Sequence, residues 1–275
     1  MEVRDRIQVA LIRGVPVAGD ADANWASFER LTRRAARRGA DLCMSPECFL
    51  DGYAVAHAGW DRRRLVAAGR RMGREFLPRL RALAAEVRML LLLGATMTRG
   101  RGCFNSALLM GADGRLIGTY DKTHLLDHDR RFDPGRRLPV FDTPFGAMGI
   151  MICADRRWPE TARVLRVQGA RVILNPTYGM RHVANEWWIR TRSYENECYI
   201  CFAHPTLSLV TDPQGNVHAK RSGARPGVLV TALNLASLPT TMLDARRPNL
   251  YGPIVRSGVA RTGRRDRRPR ERKRR

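Results

Sequence analysis

The chain has 275 residues, of which 44% are hydrophobic, and a formal net charge of +23 at pH 7. This length and apolar content predict a folded protein with a substantial core and exclude a disordered chain. The longest apolar run, residues 89–95, is far too short to span a membrane, and residues 1–14 lack the uninterrupted apolar core of a signal peptide. We therefore expect a cytoplasmic protein without a membrane span.

The positive charge is concentrated at the C-terminus. Residues 261–275 contain ten Arg or Lys and two Asp or Glu, a net charge of +8, which leaves +15 for the rest of the chain. This tail has almost no apolar residues, so we predict a folded domain at residues 1–260 and a disordered tail at 261–275. The tail could hold a polyanion nonspecifically, or it could reflect an arginine-rich coding bias. No nucleic-acid-binding motif accompanies the charge, which favours the coding bias.

Strand-like and helix-like segments alternate along the chain. Strands are predicted at residues 7–14, 41–47, 89–95, 147–153, 171–176, 198–204 and 227–235. Hairpins are predicted at residues 104–120 and 207–221. Helices are predicted at residues 24–40, 61–87 and 158–170. The alternation contains no internal repeat and predicts a layered α/β sandwich, in one domain.

Individual residues mark the limits of these elements. Asn24 is the predicted N-cap of the first helix and Gly39 its stop. The second helix is predicted to break near Pro78. Asp113 and Gly114 provide the turn of the first hairpin.

Cys153 ends an apolar strand and precedes the predicted helix at residues 158–170, whose early Pro159 suits a first helical turn. A helix N-terminus lowers the pKa of a nearby thiol, and its backbone N–H groups can donate to an oxyanion. This position therefore suits a nucleophile. By position alone, a buried inert cysteine fits equally well.

Two other polar residues follow predicted strands in the same way. Glu47 lies in "MSPECFLDGY" and Lys122 in "LIGTYDKTHL". Each by itself is ordinarily a solvated loop residue. Together with Cys153 they provide a thiol, a carboxylate and an ammonium, which are the groups needed for covalent hydrolysis of an amide.

Cys198 and Cys201 form a C-x-x-C pair, which raises the alternative of a redox or metal site. The pair lies within "ECYICFAHP", and no second Cys/His pair stands at zinc-ligand spacing. We therefore predict a buried strand here, with all six cysteines reduced.

Three motifs in this order resemble the nitrilase, or carbon-nitrogen hydrolase, superfamily. They are "SPECFLDGY", "YDKTHL" and "ICADRRWPE", and the resemblance continues through "NPTYG", "RSYENECYICFAHP", "DPQGNV" and "RRPNLYG" to about residue 259. The resemblance implies a four-layer αββα sandwich that dimerises into a larger αββα-αββα assembly. It also implies an enzyme without a metal or organic cofactor.

The same resemblance implies a role for each residue of the three motifs. Cys153 would be the nucleophile, Glu47 the general base that takes its proton, and Lys122 the cation that stabilises the tetrahedral oxyanion. Many family members have a second glutamate after the lysine motif. Here "KTHLLDHDRRFDPG" is about one residue short and offers Asp129 at that place, with Asp127 as a competitor. Asp129 would orient Lys122 or the substrate, or would be only a surface charge.

The sequence around Cys153 also bears on the substrate. "MICADRRWPETARVLRVQGA" is similar to N-carbamoyl-D-amino acid hydrolases, in which an arginine after Cys-x-Asp binds the substrate carboxylate. Arg156 and Arg157 stand there, and a guanidinium matches a carboxylate with paired donors. Alternatively, Arg157 pairs with Glu160 or another acid. Ala154 replaces the asparagine of that subfamily.

We therefore predict a cysteine-dependent hydrolase of an N-carbamoyl amino acid or related amide, which releases ammonia through a thioester. The alternative within enzymes is a general aliphatic amidase. A catalytically silent or nucleic-acid-associated protein on the same fold is the alternative from another class. An intact set of Cys153, Glu47 and Lys122 favours the enzyme.

Overall fold

The computed structural model describes residues 3–180 and 182–255, and these residues form two six-stranded sheets that pack face to face. The strands are β1 (Arg6–Arg13), β2 (Leu42–Met44), β3 (Leu90–Arg99), β4 (Gly102–Met110), β5 (Leu116–Asp121), β6 (Val140–Thr143), β7 (Gly146–Ile150), β8 (Val172–Pro176), β9 (Tyr199–His204), β10 (Leu207–Thr211), β11 (Val217–Ser222) and β12 (Gly227–Asn234). The predicted tail at 261–275 lies outside the described residues.

The two sheets share one pairing pattern. The first has the order β12-β1-β2-β3-β4-β5 and the second the order β6-β7-β8-β9-β10-β11. In each sheet, the second, third and fourth strands pair in parallel, and the outer strands pair antiparallel. The carboxyl ends of the parallel strands therefore lie at one edge of each sheet, where loops can bring polar residues together.

Helices cover the outer faces of both sheets. They are α1 (Ala21–Ala36), α2 (Arg62–Arg71), α3 (Leu77–Val87), α4 (Pro159–Val167), α5 (Ala184–Asn196) and the short α6 (Thr241–Asp244). The first sheet buries apolar residues of α1 and α3, such as Phe28 and Leu80, and the second buries Leu165 and Ile189 of α4 and α5. A central core lies between the sheets. The predicted four-layer αββα sandwich is confirmed.

The start of α1 differs from the prediction. Asp20, not Asn24, is the N-cap, and its carboxylate accepts a hydrogen bond from the N–H of Ala23 at 3.0 Å. Asn24 is buried inside the helix, where its side chain bonds both backbone groups of Val17 and the carbonyl of Leu50. Asn24 thus joins two loops to α1. The prediction that the helix stops near Gly39 is confirmed, because Gly39 adopts a positive φ of 73° just beyond the end of α1.

The predicted break near Pro78 is a change of helix type. A π-helical turn, Met72–Phe76, joins α2 to α3, and Pro78 lies in the first turn of α3. A proline in a first turn removes no hydrogen bond that the helix needs. The chain therefore remains helical through this region.

The predictions for the first hairpin and for the C-x-x-C pair agree with the structure, whereas the strands predicted at residues 41–47 and 147–153 are shorter, Leu42–Met44 and Gly146–Ile150. β4 and β5 form the antiparallel hairpin, with Gly114 at φ 78° in its turn. Cys198 and Cys201 are buried free thiols within or beside β9. Over residues 3–180 and 182–255, no helix has the length and apolar character needed to cross a membrane.

Candidate active site

The three residues of the sequence motifs come together between the two sheets. Glu47 lies in the turn after β2, and Lys122 follows β5 directly. Cys153 begins a short 3-10 turn, Cys153–Arg157, between β7 and α4. Glu47 and Lys122 are each 1% exposed and Cys153 is 6% exposed. The site is therefore largely closed to solvent. Electrostatic interactions are stronger in such an enclosed site than in water.

The Glu47 carboxylate is held by three donors from three segments. Oε1 accepts from Lys122 Nζ at 2.9 Å and from Asn105 Nδ2 at 2.8 Å. Oε2 accepts from the backbone N–H of Tyr178 at 2.9 Å. Oε1 thus carries both side-chain donors, and Oε2 retains a lone pair with which to take a proton.

The turn that carries Glu47 packs tightly against β3. Gly94 donates its N–H to Ser45 Oγ at 2.9 Å and accepts from the N–H of Leu50 at 3.2 Å. A Cβ at Gly94 would lie 2.4 Å from the carbonyl oxygen of Pro46. Only glycine allows the turn to approach this closely, so Gly94 fixes the position of Glu47.

Lys122 is a buried cation between two carboxylates. Its Nζ donates to Glu47, and it also donates to Asp129 Oδ2 at 2.5 Å. Burial by itself lowers the pKa of a lysine, but the negative charges of Glu47 and Asp129 raise the pKa of Lys122 well above its ordinary value. Lys122 therefore stays protonated.

The structure distinguishes the two aspartates that the sequence left open. Asp129 is fully buried, contacts Lys122, and accepts from the Tyr53 hydroxyl at 2.9 Å on its other oxygen. Asp127 is exposed and pairs with Arg130 at 2.7 Å. Asp129 therefore lies in the site beside Lys122, and Asp127 lies at the surface.

The environment of Cys153 differs from the expected one. Burial and the charge of Glu47 raise the pKa of the Cys153 thiol, and the cations Lys122 and Arg156 oppose this rise only in part. The predicted lowering by a helix N-terminus was wrong, because the 3-10 turn separates Cys153 from the start of α4 at Pro159. At neutral pH the thiol is therefore protonated, and a nucleophilic role for Cys153 would require a base. Cys153 has a positive φ of 46°, a strained conformation for a residue with a side chain.

Asp155 connects the cysteine turn to the lysine segment. Its carboxylate accepts from the N–H of Ile152 at 2.8 Å, from the Tyr120 hydroxyl at 2.7 Å and from Thr123 Oγ1 at 3.0 Å. His124 contacts it as well, at 2.7 Å. These partners flank Cys153 and Lys122, so Asp155 fixes the position of Cys153 relative to Lys122.

The two arginines after Asp155 lie in different environments. Arg156 is 1% exposed, and it donates to Cys153 Sγ at 3.5 Å and to Asn185 Oδ1 at 2.5 Å. Arg157 is exposed and donates to the sulfur of Met180 at 3.5 Å. Both guanidinium groups lie over the ring of Trp188. Arg156 therefore lies beside the sulfur of Cys153, and Arg157 lies farther out.

A family model described as carbon-nitrogen hydrolase matches residues 8–241. The chain belongs to the carbon-nitrogen hydrolase family. The nitrilase-type resemblance in the three motifs is thereby confirmed.

Curated relatives of this hydrolase include amidases. It is 30% identical over 272 residues to a deaminated glutathione amidase of Homo sapiens, with 86% of this chain and 81% of the relative covered. It is 26% identical over 251 residues to an omega-amidase of Mus musculus, with 80% and 88% covered.

Solved structures show the same fold. An amidase of Nesterenkonia from the nitrilase superfamily superposes with a TM-score of 0.78 at 23% identity, over 93% of this chain and 100% of the other. The C. elegans NitFhit protein superposes with a TM-score of 0.81 at 24% identity, over 91% of this chain and 67% of the other.

Sequence reasoning did not single out several residues of the hydrolase site. Tyr53 and Asp155 lay inside the quoted motifs without a role, and Asn105 lay in the predicted hairpin. Their contacts to Asp129, Tyr120 and Glu47 join segments far apart in the chain. No local pattern reveals such contacts.

Proposed function

We propose that this hydrolase cleaves the carbon-nitrogen bond of a small amide through a thioester on Cys153. The observation that supports this most strongly is the buried group formed by Cys153, Glu47 and Lys122. The Cys153 thiol is protonated at neutral pH and lies within the electrostatic influence of Glu47 and Lys122. Nucleophile, base and cation are therefore available in one enclosed site.

In this mechanism Glu47 carries out the proton transfers and Lys122 stabilises the negative charge. Glu47 takes the thiol proton as Cys153 attacks the carbonyl carbon, and Lys122 stabilises the oxyanion that forms. Glu47 returns the proton to the nitrogen as the C–N bond breaks, which releases ammonia or an amine. Glu47 next takes a proton from water, whose oxygen attacks the thioester. The acid leaves, and the proton returns to the Cys153 sulfur.

We propose that the substrate carries a carboxylate, as an N-carbamoyl amino acid does. Arg156 supports this, because it is a buried cation whose hydrogen-bond partners are a thiol and an amide. Within the described part of the chain, Arg156 has no ion-pair partner and its Nε has no hydrogen-bond partner. A buried guanidinium without a carboxylate is costly, and a substrate carboxylate would supply the missing charge.

A general amidase is the second candidate. The relatives named above are called amidases, which favours a simple amide as the scissile group. In this alternative Arg156 donates a hydrogen bond to the sulfur of Cys153 and does not bind a substrate carboxylate.

The test is ammonia release from matched pairs of substrates, each pair comprising a carboxylate-bearing molecule and a neutral amide of similar size. Cys153→Ala should abolish release from every substrate. Arg156→Ala should lower kcat/KM for the carboxylate-bearing member by roughly 30- to 1000-fold and for the neutral member much less. Arg156→Lys should lie between, because an ammonium lacks the paired donors of a guanidinium. Arg157→Ala serves as the exposed control.

Activity retained in Cys153→Ala would refute the thioester mechanism. Parallel losses on both members of each pair in Arg156→Ala would refute the carboxylate-bearing substrate and leave the simple amidase. A larger selective loss in Arg157→Ala than in Arg156→Ala would move carboxylate binding to the exposed arginine.

A further inference from the structure

The Tyr53 hydroxyl lies between Asp129 and His128. It is 2.9 Å from Asp129 Oδ1 and 2.9 Å from His128 Nε2. Tyr53 is 3% exposed and its ring stacks on Tyr178, with centroids 4.6 Å apart and planes 13° apart. The His128 side chain is 47% exposed. A hydrogen-bonded row therefore runs inward from a half-exposed histidine to the buried site.

The available protons determine which group donates in each hydrogen bond of this row. Burial and the charges of Glu47 and Asp129 raise the pKa of Tyr53 far above its ordinary value, so the phenol keeps its single proton. The Asp129 carboxylate only accepts, so that proton is donated to Asp129. The remaining contact requires that His128 donate its Nε2–H to the Tyr53 oxygen. His128 therefore carries a hydrogen on Nε2.

The row ends at Lys122. An ammonium has three N–H groups, and Lys122 donates one to Glu47 and one to Asp129. The two carboxylates together set the direction of the third N–H, which remains for an oxyanion at Cys153. An Asp129 carboxylate free to rotate would leave that direction undefined.

We propose that Tyr53 and His128 are positioning residues that act in series, holding Asp129 so that Lys122 is aimed at the oxyanion. This inference rests on the proposed function of Lys122. Asp129 is one methylene shorter than the glutamate implied by the family resemblance. Tyr53 anchors the oxygen of Asp129 that Lys122 does not use, and His128 orients Tyr53.

The test is a double-mutant cycle on the full-length enzyme with Tyr53→Phe, His128→Leu and the double variant. Tyr53→Phe keeps the stacked ring and removes the hydroxyl, so kcat should fall about 10- to 100-fold with KM nearly unchanged. His128→Leu should lower kcat about 3- to 10-fold. In the double variant, kcat should match that of Tyr53→Phe within about twofold, because the row is already broken.

A second measurement separates aiming of Lys122 from damage to the fold. Alkylation of Cys153 by iodoacetamide develops no oxyanion, so its rate should stay at the wild-type value in all three variants. His218→Gln is the matched control, because His218 is exposed on β11, far from the row in the sheet, where its ring meets Tyr199 edge-on and its Nε2 hydrogen-bonds the Ala232 carbonyl. It should change neither rate.

Three results would overturn the inference. They are an unchanged kcat in Tyr53→Phe, multiplied effects of the two substitutions in the double variant, and a loss of alkylation as large as the loss of kcat. Each can occur while Cys153→Ala is inactive, in which case the proposed function stands. Activity retained in Cys153→Ala would refute the proposed function itself.

Discussion

Glu47 has two opposing effects on Cys153. Its negative charge raises the pKa of the thiol, and in the mechanism that we propose its carboxylate is the base that the raised pKa makes necessary. The Cys153 thiol is therefore protonated in the resting enzyme. In the proposed mechanism the thiolate forms only during attack, when the proton moves to the Glu47 carboxylate.

Glu47→Gln tests these two effects separately. The substitution removes a negative charge, so the pKa of Cys153 should fall and the thiolate should form at lower pH than in the wild type. Hydrolysis should nevertheless be lost, by about a hundredfold or more, because an amide cannot transfer protons. The thiolate is measured by its ultraviolet absorbance across a pH titration. Cys153→Ala, measured in parallel, subtracts the other five thiols. A thiol pKa that rises in Glu47→Gln would contradict this account.

Lys122 neutralises two buried carboxylates, so its removal should cost stability as well as activity. Lys122→Met leaves Glu47 and Asp129 buried without a cation, and the free energy of unfolding should fall by about 3–5 kcal/mol. Urea denaturation measures it. Arg62→Met is the matched control, because Arg62 pairs with Asp133 at 2.6 Å at the surface, where a pair contributes about 0–1 kcal/mol. Equal losses in both variants would contradict the buried-pair interpretation.

At the scale of the elements, the close approach of the turn to β3 sets the position of Glu47, the base of the proposed mechanism. Gly94→Ala would place a Cβ 2.4 Å from the Pro46 carbonyl oxygen and 2.8 Å from the Cys48 nitrogen. Backbone cannot yield as a flexible side chain does, so the turn must shift. We expect kcat/KM to fall about 10- to 100-fold, because sub-ångström displacement of a catalytic group is costly.

Gly73→Ala is the control for this prediction. Gly73 lies in the π-helical turn, and a Cβ there meets no atom within 4 Å. Its activity should equal that of the wild type. Loss of activity in Gly94→Ala that is explained entirely by a smaller folded fraction would contradict the positional role of Gly94.

At the scale of the whole molecule, we propose a homodimer, as the family resemblance implies. Trp187 and Tyr194 on α5 are 59% and 54% exposed, and Val164 and Val167 on the adjacent α4 are 37% and 51% exposed. Apolar side chains exposed on these two neighbouring helices favour contact with a second copy. Trp187→Glu should shift the mass in light scattering from dimer to monomer. Leu116→Glu, on the edge strand β5, should not. A wild-type monomer would refute the proposal.

The basic tail has its own prediction. Deletion of residues 261–275 removes a net charge of +8, so retention on heparin should fall and become less dependent on salt. Amide hydrolysis should stay unchanged, because the residues that we assign to catalysis all precede Arg157. A large loss of activity in the truncated protein would show that the tail contributes to the folded enzyme or its assembly.

The sequence by itself determined the type of most elements and the three central residues of the site. Apolar periodicity and turn residues are local, so most strands, the hairpin at Asp113–Gly114 and the helix predicted at residues 61–87 followed from short windows. The strand β6 and the helix α5 were not predicted. Glu47, Lys122 and Cys153 followed because each comes shortly after a strand within a recognisable motif. The αββα architecture came from the family resemblance, since periodicity alone gave only a layered α/β sandwich.

Tertiary structure alone decided how those residues behave. Asp20 and Asn24 both suit an N-cap, and only the contact of Asn24 with Leu50, distant in the chain, shows why Asn24 lies inside the helix. Asp127 and Asp129 are equivalent by type, and burial beside Lys122 selects Asp129. Local position suggested a lowered thiol pKa, but burial and Glu47 raise it. Burial and long-range hydrogen bonds depend on contacts between distant segments, and these set the charge, orientation and reactivity of the site.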